Sequence, residues 1–206
     1  MTLAIIAFME LQPTYRSTWK SNPLPCLSRP QRHWLFRPGA LTAGLRQLGQ
    51  VQLRVINEQA IGLHPAEAWM LQRDIRSPIW VREIMMSIDG IDSVFARSFT
   101  PLSASHGLWQ GMRRLRSRPL ADMLYHNPQI IRSPFLACRL HSQNPLYGTA
   151  QRIMGSQRPP AHKLLARCSV FWRGGEPLLV AECFMPEFWA LAAKSAYAQG
   201  LDPAKL

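Results

Sequence analysis

Residues 164–184 read L-L-A-R-C-S-V-F-W-R-G-G-E-P-L-L-V-A-E-C-F, two apolar runs around an R-G-G-E turn. Residues 164–172 and 178–184 each have strand length, and paired glycines suit the positive φ angles of a tight hairpin. Period-two alternation puts Leu178, Val180, Glu182 and Phe184 on one face of the second strand. An earlier run, I-W-V-R-E-I-M-M-S-I at residues 79–88, leads into Asp89-Gly90, a second hairpin signal, and residues 93–100 follow as its partner. Alternation there groups Trp80, Arg82, Ile84 and Met86, and sends Glu83 to the opposite face. Hairpins joined in this way predict an antiparallel sheet with helices packed around it, an α+β fold.

A charge on an apolar face is costly unless it is paired or used. Arg82 and Glu182 therefore admit two readings. They form a plain ion pair between strands, or they line a small closed pocket for an anionic substrate with an acid beside it. Glu83 is the rival carboxylate but faces away from Arg82, and Glu176 sits in the turn, where solvation is expected. Trp80 and Arg97 read either as supports behind the site residues or as packing neighbours.

The remaining pattern is coarser. Leu41, Leu45 and Leu48 predict a short helix closed by Gly49, residues 51–57 a half-buried strand, and residues 65–74 a helix. Residues 108–125 read as helical up to a break at Pro119, with Arg113, Arg114, Arg116 and Arg118 on the solvated side. Residues 127–160 are rich in Pro, Ser and Arg and show no clear period, whereas residues 187–199 predict a closing helix. The apolar run at residues 3–9 is far too short to cross a bilayer and lacks the basic flank of a signal peptide. The expected organisation is an extension over residues 1–30, surface-wrapping or disordered, a domain over 31–190, and a helical tail over 191–206.

At 206 residues, 47% of them hydrophobic, the chain can bury one sizeable core. Its 24 Lys+Arg against 12 Asp+Glu leave a net charge of +12, which favours anionic partners without choosing among nucleic acid, acidic lipid and small polycarboxylates. No zinc-finger, RNP or basic-zipper pattern supports nucleic acid. Cys26, Cys138, Cys168 and Cys183 form no C-x-x-C pair, and Cys138 with His141 is a lone C-x-x-H, so no metal is expected and a reducing cytoplasm is. A strand, Gly-rich turn and helix in sequence are absent, which argues against a Rossmann or P-loop nucleotide site.

Three runs carry a family resemblance: W-V-R-E-I at residues 80–84, P-L-A-D-M-L-Y at 119–125 and G-G-E-P-L-L-V-A-E-C-F-M-P at 174–186, with a weaker fourth, A-L-T-A-G-L-R-Q-L-G, at 40–49. In this order they resemble chorismate lyase (chorismate–pyruvate lyase), over roughly residues 34–186. The resemblance implies an antiparallel sheet with helical flaps over a buried ligand pocket, and conversion of chorismate to 4-hydroxybenzoate and pyruvate at the start of ubiquinone synthesis. It implies no cofactor, a cytoplasmic monomer, and four site residues. Arg82 would grip a substrate carboxylate, Glu182 would lie over the reacting end of the ligand, and Leu41 and Leu120 would offer backbone contacts. Position 41 is often methionine in relatives, and the 125–163 segment is longer than in compact members.

The chemistry suits these residue types. Chorismate carries two carboxylates, and a guanidinium pairs with one in a planar, two-pronged fashion. Breaking the C3–O ether and losing the C4 hydrogen makes the ring aromatic, so the drive comes from the substrate. Burial on an apolar face suits Glu182 to hold a proton and deliver it as a general acid. Two other classes remain: an acid-sensing domain of the same fold, for which the Pro-rich first 40 residues offer no DNA-binding helix-turn-helix, and a basic nucleic-acid-binding protein.

Overall fold

A computed structural model describes residues 18–155 and 163–198. The apolar run at 3–9 and the end of the tail beyond 198 lie outside the described residues. Within them the chain runs α1 (Arg29–Phe36), α2 (Leu41–Leu45), β1 (Val51–Gly62), α3 (Pro65–Leu71), β2 (Pro78–Ile88), β3 (Ile91–Pro101) and α4 (Leu102–His106). It continues through a 3₁₀ turn (Gln110–Arg114), α5 (Ala121–Leu124), β4 (Ile131–Arg132), β5 (Leu136–Arg139), α6 (Pro145–Met154), β6 (Leu165–Arg173), β7 (Glu176–Phe184) and α7 (Pro186–Ala198).

The strands form one seven-stranded antiparallel sheet in the order β1-β2-β3-β7-β6-β4, with β5 also on β6. Both predicted hairpins form. Asp89 and Gly90 take φ of 49° and 81°, and Gly174 and Gly175 take 55° and 81°. Those left-handed pairs match the twist of the flanking strands. Helix starts follow local chemistry: Ser28 and Gln31 make a capping box at α1, and Asn144 accepts from the Leu146 amide at α6, each helix carrying an early proline.

Alternation along the strands builds two different sides. Val81, Met85, Phe95, Phe99, Leu179, Ala181, Ala166 and Cys168 pack on the reverse face with Leu71 of α3 and Leu146 of α6. The front face carries two separate clusters. One joins Ile84, Met86, Ala96 and Phe184 to α1, α2 and α7, and the other joins Phe171 and Leu178 to Trp109, Met112, Leu120 and Leu124. The site lies in the seam between these two front clusters.

Three expectations change. The stretch before Pro119 is not a regular helix; a 3₁₀ turn ends at Arg114, Arg116 takes φ of 51°, and the backbone turns inward, with only the short α5 after the expected break. Arg113 does not lie in a solvated row, because its guanidinium sits 3.8 Å over the Trp80 ring. Strand β1 extends past residue 57 to Gly62, through a β-bulge between Val55 and Asn57 that interrupts the alternation. The unreadable stretch 127–160 holds β4, β5 and α6. At the N-terminal side, Lys20 bridges to Ala137 and Leu27 is buried.

Candidate active site

Ladder register fixes the floor of the site. Ile84, Ala96, Glu182 and Arg167 stand in one row across β2, β3, β7 and β6, and Arg82, Ser98, Val180 and Ser169 form the next. Small side chains in the middle of both rows leave a hollow. Over it close the chain 40–42, leading into α2, and Pro119–Leu124 with Tyr125, around α5. The cavity has a volume of about 50 Å³ and is lined by Leu41, Leu120, Tyr125, Arg167, Ser169 and Glu182 among others. A few waters fit there. A ten-carbon acid needs more room than that. The covering segments are joined by a 2.9 Å hydrogen bond from the Tyr125 hydroxyl to the Gly39 carbonyl.

Glu182, Leu41 and Leu120 thus meet at one cavity. Arg82 adjoins it without lining it: the side chain is 1% exposed, shares a row with Ser98, and lies beneath the loop that leads to Leu120. Its Nε donates to Glu58 at 2.9 Å, and Nη2 donates to the carbonyls of Arg116 and Arg118 at 2.6 and 3.2 Å. Nη1 is buried and has no partner among the described residues. Burial lowers the Arg82 pKa, with the Glu58 carboxylate opposing that shift. A guanidinium keeps its charge over such shifts, so Arg82 is a held cation with a spare donor.

The plain ion pair between Arg82 and Glu182 does not form. Arg82 is paired with Glu58, and Glu182 with Arg167. Nor is Glu182 the isolated carboxylate that an apolar strand face implied. Arg167 Nε lies 2.6 Å from its Oε2, and Arg167 Nη1 donates to the carbonyls of Trp34 and Arg37 at 3.1 and 3.2 Å. Arg167, 1% exposed, stacks 4.3 Å over Phe135. Sequence reasoning missed Arg167 and Glu58. The signal for Arg167 was present, since alternation puts it with Leu165, Ser169 and Phe171 on the core-facing side of β6. Glu58 was hidden by the bulge.

Glu83 faces the reverse side as expected, within 3.4 Å of both Arg97 and Arg152. There Arg97 also bonds Glu67, so it belongs to a buried charge network on the face away from the cavity, and neither supports the site residues nor simply packs. Trp80 packs under Arg113. Cys138 is buried in the core, and Glu176 bonds Arg73 at 2.9 Å.

A covered hollow on an antiparallel sheet, with one carboxylate and buried guanidiniums at its edges, has the chemistry to take a small organic acid. The comparisons narrow this. The family model for chorismate lyase matches residues 14–194, and the chain belongs to that family. The Bordetella avium protein named "Probable chorismate pyruvate-lyase" is 60% identical over 183 residues, covering 87% of this chain and 89% of the relative. A Pseudomonas entomophila relative, "Probable chorismate pyruvate-lyase 1", is 43% identical over 173 residues, 84% of this chain and 91% of its own. Among solved structures, the effector domain of PhnF from Mycobacterium smegmatis aligns with a TM-score of 0.49 at 11% identity, over 72% of this chain and 90% of that one.

Proposed function

We propose that this chain cleaves chorismate to 4-hydroxybenzoate and pyruvate, the reaction of its family, at the cavity bounded by Leu41, Leu120 and Glu182. The observation that carries the reading is the meeting of those three residues at one closed hollow, with Arg82 abutting its edge. Arg82 takes a substrate carboxylate through its spare Nη1 donor and holds the ring end. The amides of Leu41 and Leu120 hold further oxygens from above, without a further full charge.

In the reaction the C3–O bond breaks and its electron pair goes to the enolpyruvyl oxygen. The C4–H pair completes the aromatic ring, and the released proton balances the one gained by the methylene carbon of pyruvate. Glu182, the carboxylate paired with Arg167, takes the proton released from C4 and passes one to the departing enolpyruvyl group, and Arg167 keeps that carboxylate aimed into the cavity. Lids that exclude water guard the enolpyruvyl intermediate state from side reactions. Cytoplasmic location, action at the start of ubiquinone synthesis and a monomeric state belong to the same proposal, the first supported by four free cysteines. Among the described residues no helix is long and apolar enough to cross a membrane.

The test is to incubate the purified chain with chorismate, adding no metal or cofactor, and to resolve products by chromatography. Equal 4-hydroxybenzoate and pyruvate, falling at least about 100-fold in Glu182→Gln, is the expected result. Folded protein with no product above background overturns it. Tight 4-hydroxybenzoate binding in that inactive sample would favour an acid sensor.

A further inference from the structure

The two ends of the hollow differ in charge balance. At the β2 end, Arg82 is matched by Glu58. At the β6 end, Glu182 is the carboxylate facing Arg167, while Arg37 and Arg132 stand close by. The backbone of Arg37 accepts from Arg167, and the Arg132 guanidinium lies 4.1 Å from the same Phe135 ring that Arg167 covers at 4.3 Å. Nη1 of Arg37 and Nη1 of Arg132 are both buried without a partner among the described residues. Burial lowers the Arg37 pKa, and the neighbouring Arg167 charge lowers it further. Like charges gathered with unmade hydrogen bonds are costly. Neither side chain lines the hollow, but their charges raise the positive potential at its β6 end, which an anion held there would offset.

Arg167 can receive that anion. Nε is taken by Glu182 and Nη1 by two carbonyls, the side chain lines the cavity, and Nη2 is the nitrogen those bonds leave to turn toward a ligand. Strands β2 and β6 are three steps apart, which at roughly 4.8 Å per step separates their backbones by about 14 Å. Arg167 therefore enters the hollow from the β6 side while Arg82 stands at the opposite edge, across a floor that includes Ala96, Ser98, Val180 and Ser169.

We propose that Arg167 is the receptor for the second carboxylate of the substrate, the one that leaves with pyruvate, so that the site selects a dianion held at both ends. This rests on the lyase reading above. It also places the enolpyruvyl group beside Glu182, because one guanidinium would hold both the departing group and the acid. 4-Hydroxybenzoate keeps only the ring carboxylate. The β6 end loses its ligand when pyruvate departs.

Affinities of two ligands test this. In a Glu182→Gln background, where turnover is suppressed and Gln still accepts from Arg167, dissociation constants are measured by calorimetry for chorismate and for 4-hydroxybenzoate, with and without Arg167→Gln. The expected result is a loss of about 30-fold or more for chorismate and under about 3-fold for 4-hydroxybenzoate. Equal losses for both ligands, or none for chorismate, would overturn the proposal and leave Arg167 as a support for Glu182 alone. Circular dichroism and Tm check folding. Should Arg167→Gln fail to fold, Arg167→Lys keeps the charge without the fork and is read in the same way, with about a 10-fold loss confined to chorismate expected and equal losses overturning it. Conversion of chorismate by the unaltered chain is scored separately, so failure of the lyase reading is not confused with failure at Arg167.

Discussion

Glu182 and Arg167 face each other as a registered pair on neighbouring strands, Oε2 to Nε at 2.6 Å, and the same guanidinium ties down the carbonyls of Trp34 and Arg37. The proposed acid is thus fastened to the chain that runs from α1 to the covering residue Leu41. Acid and cover are positioned by one side chain.

Glu58 should matter although it sits on the edge strand, away from the reacting atoms. It is the partner of Arg82 Nε. Glu58→Gln keeps an acceptor but loses the charge, so KM for chorismate should rise about tenfold with kcat within a few-fold. Steady-state kinetics checks the split; a fall in kcat alone would mean that Arg82 acts on the reacting bonds instead.

Tyr125 joins the two covers through the Gly39 carbonyl. One hydrogen bond of ordinary net strength is worth about 1 kcal/mol. Tyr125→Phe should therefore release 4-hydroxybenzoate about fivefold faster, measured by stopped-flow fluorescence, with little change in Tm.

Glu67 lies on the reverse face, where burial raises its pKa to about 7 against the pull of Arg97. Between the unfolded value near 4.5 and about 7 the native chain holds the extra proton, so this group's contribution to stability is full at low pH and is lost as pH rises through that window. Denaturant midpoints at pH 5 and pH 8 should show the loss, on the order of 3 kcal/mol at most. Glu67→Gln should flatten it without changing catalysis.

Gly49 precedes β1 where a Cβ would come 2.2 Å from the Asp89 carboxylate, which itself accepts from the Gln50 amide at 2.8 Å. Gly49→Ala should break that tie between the β1 entry and the β2–β3 turn and cost about 1–2 kcal/mol in chemical denaturation.

Much of this was legible in the residues. Turn glycines gave both hairpins, and simple alternation put Arg82 and Glu182 on one face, because central strands packed on both sides hold their register strictly. Legibility ended where long-range contacts override local pattern. The arginine-rich stretch before Pro119 has helical spacing, yet Arg82 draws the Arg116 and Arg118 carbonyls inward and breaks the run. Short β4 and β5 take their conformation from pairing with β6, which no window of their own sequence records. Arg167 went unread although its strand position carries the same signature as Arg82: a charge among inward-facing residues.

The bulge at Ile56 has a consequence for how the family chain can vary in length. Val55 pairs with Ile84, but the next rung joins Asn57 to Glu83 and the one after joins Glu58 to Arg82. With unbroken pairing Asn57 would stand opposite Arg82, and the counter-charge would fall on the wrong side of the sheet. A single residue of slack at the sheet's margin sets the parity of everything beyond it. Insertions or deletions of one residue within β1 would thus send the counter-charge to the other face, while changes of two would keep the face but carry Glu58 two rungs away from Arg82.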